Sequence, residues 1–145
     1  MNTNGTRTTI QVRVRYGECD PMGIVHHSRY AVWFEMARTE MLRRQGLTYA
    51  DMEKEGTFIV VSKLNMSYKQ PARYDELIRI TAILTRSGGA KIQHEYEVHR
   101  SSDLLCTGST VLACLDRDGR IMRVPKALEK ESWKPAPETT NEIIS

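Results

Sequence analysis

A chain of 145 residues with 40% hydrophobic and 27% charged residues is long enough to bury a real core, short for two domains, and too apolar for disorder. Its 21 Lys and Arg are scattered among 18 Asp and Glu, for a net charge of +3. The absence of a basic stripe interleaved with aromatic residues argues against nucleic acid, while a small phosphate-bearing ligand needs fewer charges.

The first element follows a polar start, MNTNGTRTT, which lacks the apolar centre of a signal peptide. Ile10, Val12, Val14 and Tyr16 then alternate with Gln11, Arg13 and Arg15, the period of a half-buried strand ending near Tyr16. The turn-forming residues of 17–23 predict a loop. Over 28–44, Tyr30, Phe34, Ala37, Met41 and Leu42 recur at helical spacing, and Ala31 and Trp33 widen the stripe, predicting a largely buried helix. Gly46 is a terminator, and 47–55 reads as a shorter helix capped by Thr48 and closed before Gly56.

Strand-like runs follow over 58–68, 76–85, 91–100 and 104–115, with alternation clearest at Ile78, Ile80, Ala82 and Leu84. Turns fall at 87–89, 101–103 and 118–119, after which a charged tail is expected to lead away from the domain. One strand, a buried helix and four strands make an α+β order: an antiparallel sheet of about five strands wrapped around a long central helix, in one domain over 1–145 with its core at about 8–128. The exposed sheet edge suggests a homodimer, with a homotetramer as the alternative. No run approaches the roughly 20 apolar residues that span a bilayer. Cys19, Cys106 and Cys114 are odd in number and lack CxxC spacing, so neither a disulfide framework nor a zinc site is suggested, and a cytoplasmic protein is expected.

The informative segment joins the first strand to the helix: Tyr16-Gly17-Glu18-Cys19-Asp20-Pro21-Met22-Gly23-Ile24-Val25-His26-His27-Ser28-Arg29-Tyr30. Tyr16, Asp20, Gly23, Val25, His27 and Tyr30 fit the pattern Y-x-x-x-D-x-x-G-x-V/I-x-H (or aromatic)-x-x-Y, so that the chain resembles the 4-hydroxybenzoyl-CoA thioesterase family of hotdog proteins. The resemblance continues through Phe34-Glu35-Met36-Ala37-Arg38 and, by strand order, to about Leu128. His26 departs from it, since relatives often carry an aromatic residue there.

The resemblance implies hydrolysis of an acyl-CoA to a free acid and CoA, with CoA as part of the substrate and no cofactor. Asp20 would act as nucleophile or as general base toward water. The helix N-terminus near His27 would polarise the carbonyl, with the His27 side chain assisting and Tyr16 orienting the site. Gly23, Val25 and His26 are expected to contact substrate. Each residue alone has a plainer reading: Asp20 caps a turn, Tyr16 packs at a strand end and His27 satisfies the helix start.

For the CoA phosphates, Arg86, Ser87, Gly88, Gly89 and Lys91 form a turn with two cations, while Lys63, Lys69 and Arg73 flank another strand region. Either set reads equally as solvated charge. His94 and His99 fall on opposite faces of one strand, so no metal set is expected, and Cys19 lacks a sequence-local base. Met22, Ile24, Trp33 and Met66 are pocket or core residues. Two alternatives remain beside acyl-CoA hydrolysis: an acyl-carrier-protein thioesterase, and a non-catalytic acyl-CoA binding protein on the same scaffold.

Overall fold

The computed structural model describes residues 2–145. In chain order it comprises β1 (Asn2–Thr3), β2 (Arg7–Arg13), a 3-10 turn at Tyr16–Glu18, α1 (Arg29–Arg44), α2 (Tyr49–Lys54), β3 (Phe58–Tyr68), β4 (Leu77–Gly88), β5 (Lys91–Arg100), β6 (Asp103–Leu115) and β7 (Ile121–Met122). Two further 3-10 turns, Lys126–Leu128 and Lys130–Ser132, lead to β8 (Ala136–Pro137) and β9 (Thr139–Ile144).

Period-2 alternation turns Ile78, Ile80, Ala82 and Leu84 of β4 and Ile92, His94, Tyr96 and Val98 of β5 toward one buried layer. Against it α1 lays a wide stripe in which Tyr30, Trp33, Phe34, Ala37, Arg38, Met41 and Leu42 are all buried. Irregularities in pairing between Val61 and Lys63, Leu84 and Arg86, and Val98 and His99 curve the strands around the helix. As expected, Thr48 caps α2, its hydroxyl accepting from Asp51 N–H at 3.1 Å, and Gly46 stands at φ +77° just past α1.

The strand order is β3-β6-β5-β4-β2-β9, with β7 paired to β6. The five long strands are those read from the sequence, but the sheet has seven. The chain beyond Leu128 does not lead away. β9 runs parallel to β2 and covers its outer edge, and β8 pairs with β1. The physical reason is the row of backbone groups that β2 would otherwise leave unpaired. Arg7 Nε meets Glu138 at 2.7 Å, and the Arg44 guanidinium donates to the carbonyls of Pro137 and Glu138, so the end of the chain is tied to both β2 and α1. The opposite edge, β3, has no partner strand on its outer side among the described residues, and Val60, Val61, Leu64 and Tyr68 are exposed along it. No helix among the described residues is long and apolar enough to cross a membrane.

The helix packs tightly on the sheet at Gly108 of β6. Phe34 stacks on Tyr96 with centroids 4.3 Å apart, and a Cβ at Gly108 would stand 2.4 Å from Phe34 Cε2 and 2.9 Å from the Asn65 carbonyl oxygen. The first neighbour is a ring held in a stack and the second is backbone, so neither yields cheaply. Gly108→Ala is therefore expected to destabilise the fold by about 2 kcal/mol, within the usual cost of overpacking a core. Urea unfolding of the two proteins measures it, and equal midpoints would mean that α1 is not seated on this glycine.

Candidate active site

The segment between β2 and α1 is held at both ends by backbone. Val14 N–H donates to Glu76 at 2.9 Å as the chain leaves β2, and Val25 N–H donates to Ala72 at 2.9 Å as it approaches α1. Between them Glu18 is 4% exposed. One of its carboxylate oxygens accepts from Arg15 N–H at 2.7 Å and the other from the Trp33 indole N–H at 3.1 Å. Its carbonyl accepts from His26 N–H at 2.9 Å. A buried carboxylate with this set of donors fastens the loop to the first turns of the helix.

Asp20 sits in the tight turn so fixed. Its N–H donates to the Ile24 carbonyl at 2.8 Å, its carbonyl accepts from Gly23 at 2.9 Å, and Gly23 adopts φ +81°, where a side chain would be strained. Asp20 Oδ1 accepts from Met22 N–H at 2.9 Å and, more weakly, from Ile24 N–H at 3.4 Å. Oδ2 has no protein hydrogen-bond partner among the described residues. One oxygen is fixed by the turn and the other is unengaged.

α1 begins at Arg29 with Ser28 as its N-cap, two residues later than the expected start near His27. His27 N–H makes no backbone hydrogen bond, whereas its carbonyl accepts from the Tyr68 hydroxyl at 3.1 Å. His26 Nδ1 accepts from Ser28 N–H at 3.2 Å and lies 2.8 Å from the Ser28 hydroxyl, while the His26 and His27 rings face each other with centroids 4.2 Å apart. Burial, and after it Cys106, hold the Tyr68 phenol above its ordinary pKa, so it remains a donor. Burial, then the charges of Glu18 and Asp20, raise the Cys19 thiol, which makes it a poor nucleophile at neutral pH.

Asp20, Val25, His26, His27, Tyr30 and Tyr68 line a single cleft of about 370 Å³, with Lys69 at its rim. A larger hollow of about 450 Å³ on the outer face of the sheet, among Asn65, Ser67, Glu95, Glu97, Thr107 and Ser109, brings together no such constellation. Among the described residues no group of three or more His, Cys, Asp or Glu is placed to hold a metal.

Of the residues singled out in the sequence, Asp20, His27, Val25 and His26 thus share the cleft, and Gly23 shapes its turn. Tyr16 is not among the lining. It is 79% exposed and packs edge-on against Tyr74 at 5.5 Å. Arg86, Ser87, Gly88 and Lys91 lie at the far end of the molecule: β4 begins beside the site, where Leu77 pairs with Arg13, and its 12 residues carry the hairpin roughly 35 Å away. Ser87 is also buried, its hydroxyl donating to the Leu128 carbonyl, and is not free to bind a phosphate. Sequence reasoning missed Glu18, Tyr68 and the Trp33 hydrogen bond. Tyr68 and His27 are 41 positions apart, so no local pattern signals their contact.

The family model for the thioesterase-like superfamily matches residues 14–133, which includes the loop, α1 and the long strands β3 to β6. The chain is 32% identical over 120 residues to an acyl-CoA thioester hydrolase of Escherichia coli O6:H1, covering 82% of this chain and 87% of that one. A crystal structure of DHNA-CoA thioesterase from Staphylococcus aureus superposes with a TM-score of 0.77 at 34% identity, covering 81% of this chain and 80% of the other. A 4-hydroxybenzoyl-CoA thioesterase structure, at 22% identity and a TM-score of 0.78 over 85% of this chain and 96% of that one, shares the hotdog fold.

The Glu18–Trp33 bond gives a stability test of how the loop is held. Trp33→Phe keeps an aromatic ring but removes a donor from a buried carboxylate, and is expected to cost about 1–3 kcal/mol. With Glu18→Gln in the same chain the loss should fall short of the sum of the two single changes, because the pair shares one interaction. Strict additivity in urea unfolding would show that the bond does not carry the loop.

Proposed function

We propose that this chain, which belongs to the thioesterase-like superfamily, hydrolyses an acyl-CoA thioester to a carboxylic acid and CoA at the Asp20 cleft. The observation that carries the reading is the pairing of a carboxylate with one free oxygen and an unpartnered backbone N–H at the entrance of α1, in one cleft with apolar walls. Thioester hydrolysis needs both: a group that attacks or activates water, and positive partial charge where the carbonyl oxygen becomes an anion.

Asp20 Oδ2 takes a proton from water as the water oxygen bonds to the thioester carbon. The carbonyl oxygen, now negative, is met by His27 N–H and the positive end of the α1 dipole. Collapse of the tetrahedral intermediate breaks the C–S bond, and the departing CoA thiolate takes the proton from Asp20. Direct attack by Oδ2 on the carbonyl carbon is the other route through the same oxygen: the C–S bond breaks, CoA leaves as thiolate, and water opens the resulting mixed anhydride to the carboxylic acid and the Asp20 carboxylate, its second proton going to the thiolate. Tyr68 holds the His27 peptide in place, and Lys69 at the rim offers a cation to the CoA phosphates. Val25, Tyr30 and Ile24 supply the apolar wall for the acyl group.

The exposed β3 edge supports a homodimer formed by continuing the sheet into a second copy. Sedimentation at micromolar concentration is expected to give a mass of at least two chains. A fully active monomer would overturn the paired-sheet arrangement.

Asp20→Asn keeps the shape of the side chain and the acceptor that holds the turn, while removing the carboxylate. Turnover is expected to fall by at least about 100-fold, the low end for loss of a general base. Free-thiol release over a panel of acyl-CoAs measures it, with circular dichroism confirming an intact fold. A folded variant with near wild-type turnover removes Asp20 from the chemistry.

A further inference from the structure

Away from the Asp20 cleft, the middle of α1 carries a second polar constellation. Arg38 lies on the buried face of the helix with its side chain 8% exposed. Nη1 donates to the Tyr96 hydroxyl at 3.4 Å, and Nη2 stands 3.7 Å from Glu35, whose side chain is 67% exposed. The Arg38 Nε–H is buried and has no partner. His94, 5% exposed on β5, has a buried Nδ1 that is likewise unpartnered. Buried polar atoms of folded proteins are rarely left so, and the two side chains that carry them border one cavity.

That cavity is small, about 20 Å³, and is continued by an outer hollow of about 200 Å³ that shares Arg38, Tyr49, Ile59 and Leu112 with it and opens beside Val60 and Val61. An apolar cavity of about 150 Å³ is enough for one benzene ring. Tyr30, the helix residue of the Asp20 cleft, is two turns before Arg38, roughly 12 Å along the axis, so the chamber is a separate place.

The two orphan atoms define what would fill it. Arg38 Nε–H is a donor only. Burial, and after it the charge of Arg38, push the pKa of His94 down to about 3, so at neutral pH its ring is uncharged and offers one N–H and one lone pair. Glu35 and Glu53 stand at the outer hollow, disfavouring a carboxylate. A hydroxyl matches: its oxygen accepts from Arg38 and its hydrogen goes to the His94 lone pair.

We propose that this chamber binds a small neutral hydroxylated molecule, a phenol or alcohol, with its hydroxyl between Arg38 Nε and His94 Nδ1 and its apolar body against Ile59, Leu112 and Val60. The chamber uses neither Asp20 nor His27, and its outer hollow opens beside Val60 and Val61 on the β3 edge, so in the proposed homodimer it lies at the seam between the two copies.

The test titrates the wild-type protein with phenol, cyclohexanol, benzene and benzoate, following the Arg Nε–H and His ring nitrogens by NMR. The Arg38 signal is identified by its loss in Arg38→Lys. Phenol and cyclohexanol are expected to shift the Arg38 and His94 signals saturably, with benzene at least about tenfold weaker, the consequence of one lost hydrogen bond to a charged group. Benzoate is expected to be weaker as well, because it has no hydrogen for His94 and brings a negative charge beside Glu35 and Glu53. His94→Phe should weaken phenol about tenfold and leave benzene unchanged. A hydroxyaryl thioether of CoA run in parallel separates a free molecule from a hydroxyl carried in on an acyl group. Equal binding of benzene and phenol would overturn the proposal. So would signals that respond to none of these ligands, which would mean that the chamber holds water alone. The wild-type titration decides between these outcomes even where a variant fails to fold.

Discussion

The structure depends on burying one wide face of α1 against a single sheet. Trp33, Phe34 and Met41 are almost wholly removed from water, and full burial of such side chains contributes about 1.5–3 kcal/mol each. No single flat sheet can cover so wide a stripe. The strands must curve, and the pairing irregularities in β3, β4, β5 and β6 together with the missing side chain at Gly108 allow it. Curvature leaves the helix N-terminus at one end of the sheet. There the loop from β2 must arrive, so the position of the cleft is set by packing before any reactive group is considered.

Two carboxylates two residues apart then take opposite roles according to their surroundings. Glu18 is buried and given donors at both oxygens, which spends it on geometry. Asp20, half-buried in a turn closed by Gly23, has one oxygen engaged and the other open to the cleft. Exchanging their environments would leave the loop without an anchor and the cleft without an open carboxylate oxygen. Arg38 is a third charged residue whose role is set by burial: on the helix face toward the sheet its guanidinium is shared between the buried Tyr96 hydroxyl and the exposed Glu35 carboxylate at 3.7 Å.

Periodicity made much of the fold legible. The alternation in β2 and β4, the stripe of α1, and the Thr48 cap of α2 are local properties, and each element formed close to where its residues indicated, except that β2 ends at Arg13 and Tyr16, expected at the strand's end, opens the 3-10 turn that carries Glu18 to its buried place. The Asp20 loop was legible because its residue types recur at fixed offsets. β9 was not, although Thr139, Thr140, Ile143 and Ile144 are good strand formers, because a short run after a charged, Pro-containing stretch becomes a strand only when an edge stands free beside it. Tyr68 and Glu18 escaped for a related reason. A tyrosine closing a strand and a glutamate in a loop are ordinary in sequence, and their partners, His27 and Trp33, are brought to them by the fold. Ser87 misled in the opposite direction, since a serine in a turn reads as exposed until the Leu128 carbonyl is seen to cover it.

The length of β4 has a consequence for where the coenzyme can lie. Asp20 and the hairpin that carries Arg86 and Lys91 are at opposite ends of a strand roughly 35 Å long, well beyond the reach of any side chain. Within one chain, Lys69 lines the cleft, held where β3 gives way to the turn by its N–H, which donates to the Leu105 carbonyl at 2.8 Å, and Arg73 is bridged by its backbone to Ile24 of the cleft. Hence the two cationic turns considered for the phosphates are not equivalent. Lys69 is available to the cleft of its own subunit, whereas Arg86 and Lys91 can approach only the cleft of another copy. Any contact from that hairpin to an Asp20 cleft would therefore require a second copy, and the sheet that sets the length of β4 sets this separation too.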